Sequence, residues 1–237
     1  MSLLTTIQDV CPVIGVAVPQ SVFANIPANR TMQEMLALAN EMARRISYDN
    51  RDWTLFKTTQ VYAGDGVKTS FPMPADYKRM LLNSNVWRST STAYPMRFIP
   101  DYDSWLQRRM MNINDARGEW TMVGGQMLIW PALSNGATAT YTYLKKNCIN
   151  LTSGGAGSTF LADTDSFALD ERLLTLGMIW QWKANKGSPY NEDMATFSDA
   201  MAKAMGADSP SPIVIGRMPL SYATKDAYPF PLPDPGP

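Results

Sequence analysis

The stretch ALDERLLTLGMIWQWKANKG, from Ala168 to Gly187, constrains this chain more than any other. Leu169, Leu173, Leu176, Gly177, Trp180 and Ala184 recur at helical spacing, and Leu174, Met178 and Trp182 widen that apolar face. The period predicts one helix from Asp170 to Lys186. Asp170 and Glu171 suit the positive end of the helix dipole, Lys183 and Lys186 suit the negative end, and Gly187-Ser188-Pro189 supplies the stop. Only a narrow stripe of Arg172, Thr175, Ile179, Lys183 and Lys186 carries much polarity. Most of the circumference must therefore be covered, either by helices of the same chain or by neighbouring subunits. Ile179, Trp180 and Trp182 are the candidates for packing between subunits.

The residue inventory excludes much chemistry. The chain has 237 residues, enough for a full core, and no histidine, so the usual general base and metal ligand are both missing. Cys11 and Cys148 stand far apart without partners of metal-ligand spacing, which reads as two buried free thiols. Gly154-Gly155-Ala156-Gly157 lacks the lysine and flanking elements of a phosphate loop. Asp163, Asp165, Asp170 and Glu171 are the densest carboxylates, but their spacing is not that of a calcium loop. No catalytic, cofactor or metal residue is assigned. Acidic and basic residues balance at 21 each, which argues against a protein that grips nucleic acid phosphates, although Arg108, Arg109, Lys145 and Lys146 form short basic clusters. The opening MSLLTTIQDVCPVIG lacks the regions of a signal peptide, and no run is long enough to span a bilayer.

Along the chain, Leu3, Leu4, Ile7, Val10 and Cys11 predict a short first helix disturbed by Pro12. Thr31-Met32-Gln33-Glu34 fits a capping box that opens a second helix to Ser47, with Met32, Met35, Leu36, Ala39, Met42, Ala43 and Ile46 inward and Asn40 among the outward residues. A hairpin is expected from Trp53 through Gly64-Asp65-Gly66 to Met73, then anchors at Tyr77, Met80, Leu81, Leu82, Val86 and Trp87. A helix from Ser104 to Met111 shows Trp105, Leu106, Met110 and Met111 on its apolar side. Gly124-Gly125 turns a hairpin between Trp120 and Trp130, and Ala137 to Leu144 alternates as a further strand. Asn147 to Ala162 reads as a mobile loop. The central helix follows, with a partner from Tyr190 to Met205 ended by Gly206.

After Ala207 proline dominates and a helix is excluded. Yet Ile213, Val214, Ile215, Met218, Leu220, Tyr222, Tyr228 and Phe230, with Arg217 among them, need a binding surface. They are the candidate arm for a surface on this chain or on another. The fold class is therefore α+β: an antiparallel-type helical bundle (1–50 and 163–207), an inserted β-rich layer (51–162) and an extended Pro-rich C-terminal arm (208–237).

The segments MLALANEMARRI, DWTLFKT, GGQMLIWPA and LDERLLTLGMIWQWKANKG together resemble head-to-tail adaptor (connector) proteins of tailed bacteriophages, and are similar to the tubular adaptor of short-tailed phages. The resemblance covers roughly Met1 to Ala207. It implies a non-enzymatic virion protein that forms a ring of about twelve copies between the portal of the head and a tail or nozzle protein. Genomic DNA would pass through its channel without specific binding. It implies no cofactor and no membrane, and a place at the head–tail interface after assembly in the host bacterial cytoplasm. The competing expectation is a carbohydrate-binding or hydrolytic tail-associated module that presents Trp120, Trp130, Tyr141 and Tyr143 on a sheet face.

Overall fold

The computed structural model describes residues 2–26, 29–49, 51–82, 84–90 and 94–208. The expectations placed on Ile213, Val214, Ile215, Arg217, Met218, Leu220, Tyr222, Tyr228 and Phe230 lie outside the described residues. Helix α1 (Leu3–Val13) is opened by Ser2 and Thr5, which cap each other's backbone amides, and Pro12 is accommodated at its last turn. Helix α2 (Arg30–Tyr48) begins one residue before the capping box at Thr31: Asn29 is the cap, and its side chain accepts from the Thr31 amide. Glu34, freed from the box, pairs with Arg30 and Lys186 instead.

A 3-10 turn, Thr54–Phe56, leads into β1 (Lys57–Ala63), followed by β2 (Ser70–Pro72), β3 (Tyr77–Met80), β4 (Trp87–Arg88) and β5 (Arg97–Phe98). Helix α3 (Tyr102–Met110), β6 (Glu119–Val123), β7 (Gln126–Trp130) and β8 (Thr138–Lys145) come next. Short strands β9 (Ile149–Asn150), β10 (Ala156–Gly157) and β11 (Ser166–Phe167) precede α4 (Glu171–Asn185) and α5 (Asn191–Ala207). The class is α+β.

The expected hairpin of Trp53 to Met73 does not form. β1 pairs antiparallel with β8, and β3 and β4 take the other side of β8, whereas β2 joins the sheet β2-β7-β6-β5. Only β6 and β7 make the hairpin read from the sequence, around Gly124 and Gly125 at φ 58° and 74°, a turn that side chains with a Cβ adopt poorly. The two sheets share one apolar core, in which the Tyr62 ring stacks on Phe71 at 4.8 Å and its hydroxyl lies 3.0 Å from that of Tyr141. β1 and β2 therefore face each other across a core.

The helical core takes in α1, α2 and α4, and α4 also packs against α5. Gly177 permits this closeness: a Cβ there would lie 2.7 Å from the Met42 methyl and 3.3 Å from the Phe197 ring. Burial of side chains such as Leu3, Met35, Met42, Ile46 and Leu173 contributes about 1.5–3 kcal/mol each. The exposed Glu41–Arg45 pair of α2 contributes about 0.3–0.5 kcal/mol. The apolar faces decide the packing.

Several local readings are corrected. Asn147 to Ala162 is more than a loop: β9 and β10 lie within it and form a small sheet with β11 just beyond, and Cys148, Ile149 and Phe160 enter the helical core. The same core takes Trp53, Phe56 and Leu144 from the stretch assigned to the β-rich layer. Asn40 is not free in solvent, because its side-chain oxygen accepts from the Phe160 amide and its amide group donates to the Leu36 carbonyl. Leu82 and Trp87 are exposed rather than anchors, whereas Val86 is fully buried. Gly206 does not stop α5, which runs to Ala207 and is closed by Asp208. Both cysteines are free and buried, and burial pushes each thiol above its ordinary pKa.

Candidate assembly surface

The three residues of α4 proposed for contact between subunits are used first within the subunit. Ile179, placed on the polar stripe by sequence, is 7% exposed, and Trp182 is 8% exposed; both belong to the helical core. Trp180 is partly buried, with its ring 6.1 Å from Phe197 and 6.4 Å from Tyr190. The stripe fails at Ile179 because α4 is flanked by α1, α2 and α5 together, which leaves little of its circumference free. Arg172 and Lys186 do face outward.

The acidic cluster before α4 is structural. The Asp163 carboxylate accepts from the Ser21 hydroxyl at 2.5 Å and from the amides of Val22 and Phe23 at 3.1 Å. Asp165 is buried and accepts from the amides of Thr152, Leu161 and Ala162 at 2.9, 2.7 and 2.8 Å. The backbone carbonyls of the same two residues take the first amides of α1, Leu4 to Asp163 and Leu3 to Asp165. The cluster thus ties the N-terminus of the chain to the entry of α4. Sequence reasoning missed this role, since nothing local shows which distant amides a carboxylate will meet.

Burial opposes the charge on Asp165, but the three backbone amides outweigh it and hold the pKa below the ordinary carboxylate value. A carboxyl depressed on folding contributes stability that is complete above its unfolded pKa of about 3.9 and is lost as pH falls through the folded value. Asp165→Asn would present an amide donor to the amides of Leu161 and Ala162. It should cost about 1–3 kcal/mol at neutral pH and flatten the fall of unfolding temperature below about pH 4. An unchanged acid profile in melts of the two proteins would remove Asp165 from this role.

Helix α3 shows the reverse of the expected orientation. Asp101 caps it, and only Trp105 of its apolar residues is buried; Leu106 and Met111 face solvent, and Met110 is 88% exposed. The buried side is ionic. Arg108 and Arg109 both hydrogen-bond the carboxylate of Glu119, which is 0% exposed on β6, and the Arg109 guanidinium lies 4.6 Å from the Trp105 ring and 4.9 Å from the Trp130 ring. The two arginines read as possible DNA contacts are therefore spent inside the β-layer. On the outer side Tyr102, Leu106 and Met110, spaced by four, form an apolar stripe, extended by Phe98, Met111 and Ile113. A signal in the sequence was available: two adjacent arginines on a short helix, ten residues before an isolated Glu on a strand, suit burial against each other.

The aromatic platform of the competing expectation is not available to a sugar. Trp120, Tyr141 and Tyr143 are buried, and Trp130 is engaged by Arg109 and by the Asn114 side chain. Among the described residues no group of three or more Cys, Asp or Glu could hold a metal ion, and no helix is long and apolar enough to cross a membrane. What the geometry presents is a pair of layered cores with apolar residues left outside.

No curated protein matches the chain. The SU10 adaptor protein family, however, matches residues 1–216, which takes in every described element from α1 to α5. A match over that span settles the family: the chain belongs to the SU10 adaptor proteins and is a phage adaptor.

Proposed function

We propose that the chain is a structural virion protein that assembles as a ring of about twelve copies joining the portal of the phage head to the tail or nozzle protein. Genomic DNA passes through the ring without specific binding, and the protein carries no catalytic activity. The observation that carries this reading is the family match over residues 1–216; the consumption of Arg108 and Arg109 by Glu119 and the charge balance support the absence of a tight grip on DNA. Assembly takes place in the host bacterial cytoplasm, and the likeness to the tubular adaptor of short-tailed phages is part of the proposal.

In this reading α1, α2, α4 and α5 form an antiparallel bundle (1–50 and 163–207) and 51–162 is its β-rich insertion. The residues after Asp208 are an arm. Arg217, Met218, Leu220, Tyr222, Tyr228 and Phe230 supply its contact with the portal or a neighbouring subunit, and Ile213, Val214 and Ile215 are its strand-forming part. Trp180 and the α3 stripe are candidates for contact between copies. Repetition around a ring multiplies a modest affinity per arm.

The test uses portal-bearing heads that lack the adaptor. Purified full-length protein should restore tail joining and be visible as a ring beneath the portal. A chain ending at Gly216 keeps Asp208, which holds Arg51 and Thr54, and should melt within a few degrees of the intact protein while failing to join heads. Joining by that shortened chain at the intact level would show that the distal arm is not the clasp.

A further inference from the structure

Among the described residues β1 is an unpaired edge of the sheet β1-β8-β3. β1 is seven residues long, contains no proline, and has one charged residue, Lys57, at its start. Its pairing with β8 continues beyond the strand through the Gly64 amide, which donates to the Ala137 carbonyl at 2.8 Å. In an antiparallel ladder the backbone groups alternate sides, so Thr58, Gln60 and Tyr62 also point theirs at β8. Thr59, Val61 and Ala63 then point theirs away, and among the described residues none of those three amides meets an acceptor. Of the outward carbonyls, that of Val61 receives only a side-chain bond from Gln60 at 3.3 Å. An exposed edge of this length is a template for another strand.

The chain delivers a segment to this edge. Asp208, the last described residue, is fixed at the foot of β1: its carboxylate pairs with Arg51 at 3.2 Å and accepts from the Thr54 amide at 3.1 Å, and Thr54 lies three residues before the strand. From there the next residues are Ser209-Pro210-Ser211-Pro212-Ile213-Val214-Ile215-Gly216-Arg217-Met218-Pro219. Pro210 and Pro212 hold an extended backbone and bias the residues before them the same way. They lack amide donors, but both occupy even positions. If odd residues Ser211, Ile213, Ile215 and Arg217 turn their backbone toward β1, both prolines fall on the solvent side, where an edge strand tolerates proline and where they block further pairing. Pro219 is the first proline at an odd position and would end the ladder. The family match also runs to residue 216, through this β-branched run.

We propose that residues 211–217 add to the free edge of β1 as a parallel strand of the same chain. In a parallel ladder a residue that faces the neighbouring strand bonds the two residues flanking its opposite number. Thr59 therefore bonds Ser211 and Ile213 across Pro212, Val61 bonds Ile213 and Ile215 across Val214, and Ala63 bonds Ile215 and Arg217 across Gly216, one residue short of the offset between Thr54 and Asp208. Val61 is 52% exposed and shares its sheet row with Thr140 and Trp87, so Val214 extends that row and covers its end. The strand stiffens the start of the arm and carries residues 218–237 away from Asp208, to leave at the tip of the β-layer beyond Ala63. This rests on the reading of the residues after Asp208 as a docking arm, yet its test needs neither heads nor portal.

The experiment is a disulfide trap in the isolated full-length protein. Cys11 and Cys148 are buried and do not compete. Neighbouring strands lie about 4.8 Å apart, within the Cα separation a disulfide accepts. Oxidation of the Val61→Cys/Val214→Cys double variant should give an intramolecular bond, seen by peptide mass and as a monomer on a non-reducing gel. Val61→Cys with Ile215→Cys places the thiols on opposite faces and should give at least tenfold less. In hydrogen exchange, the amides of Thr59, Val61 and Ala63 should exchange at least tenfold more slowly in the intact chain than in one ending at Asp208. Val214→Pro should keep that protection and Ile215→Pro should abolish it. Equal trapping from positions 214 and 215, a disulfide only between molecules, or equal exchange in the intact and shortened chains would each overturn the proposal.

Discussion

Glu119→Ala should lower the unfolding free energy by about 3–5 kcal/mol, the cost of removing one partner of a buried ion pair. The carboxylate is fully buried and holds two guanidinium groups, one of them between the rings of Trp105 and Trp130. Without it Arg108 and Arg109 retain side-chain nitrogens, such as the Arg109 Nη1, that already meet no hydrogen-bond partner among the described residues. The loss should be local at first: α3 is fastened to the rest of the β-layer at β6, so its amides should lose exchange protection before those of α4. Restoring an apolar interior gives the control. Replacing all three residues together, Arg108→Met, Arg109→Met and Glu119→Leu, should recover most of the loss, because the desolvation of the charges disappears with them. If Glu119→Ala melts as the unmodified protein does, the pairs contribute nothing and the arginines are free for another role.

Leu173→Ala should cost about 2–5 kcal/mol through the cavity it leaves. Ile179→Asp should cost at least as much, since an isolated charge would be buried where the side chain is 7% exposed. The second variant separates two readings of α4. If Ile179 lay on an outward stripe, Ile179→Asp would fold normally and fail only in ring formation. With Ile179 inside the subunit's core, urea unfolding of the soluble variant should already show the damage. Trp180→Ala has a smaller expected effect on stability because the ring is only partly covered, by Tyr190 and Phe197. A Trp180→Ala protein that unfolds normally but assembles poorly would mark it as a contact between copies.

Helix positions were legible because their causes are local. The spacing of Leu173, Gly177 and Trp180 and the acidic and basic ends of α4 lie within one stretch, and α4 occupies that stretch with Asp170 as its cap. The turn at Gly124-Gly125 was legible for the same reason: the backbone angles it needs are a property of two residues. The capping box at Thr31 was the local signal for the start of α2, and the fold capped the helix with Asn29 instead. Proximity along the chain likewise suggested that Trp53 to Met73 closes on itself.

Tertiary structure decided what pairs with what. The alternation in β1 shows which side chains share a face but not which strand lies beside it, and β8, about eighty residues on, won over β2. The same holds for charges. Arg108 and Arg109 looked like a solvated basic cluster until Glu119 met them, and Asp165 looked like a loop carboxylate until three amides from two other turns converged on it. Ile179 is the sharpest case. Its position on the helix was right and its environment was not, because the place of a residue in the helical period fixes only where its side chain points from its own helix. How many neighbours cover that direction is set only when α1, α2 and α5 close around it.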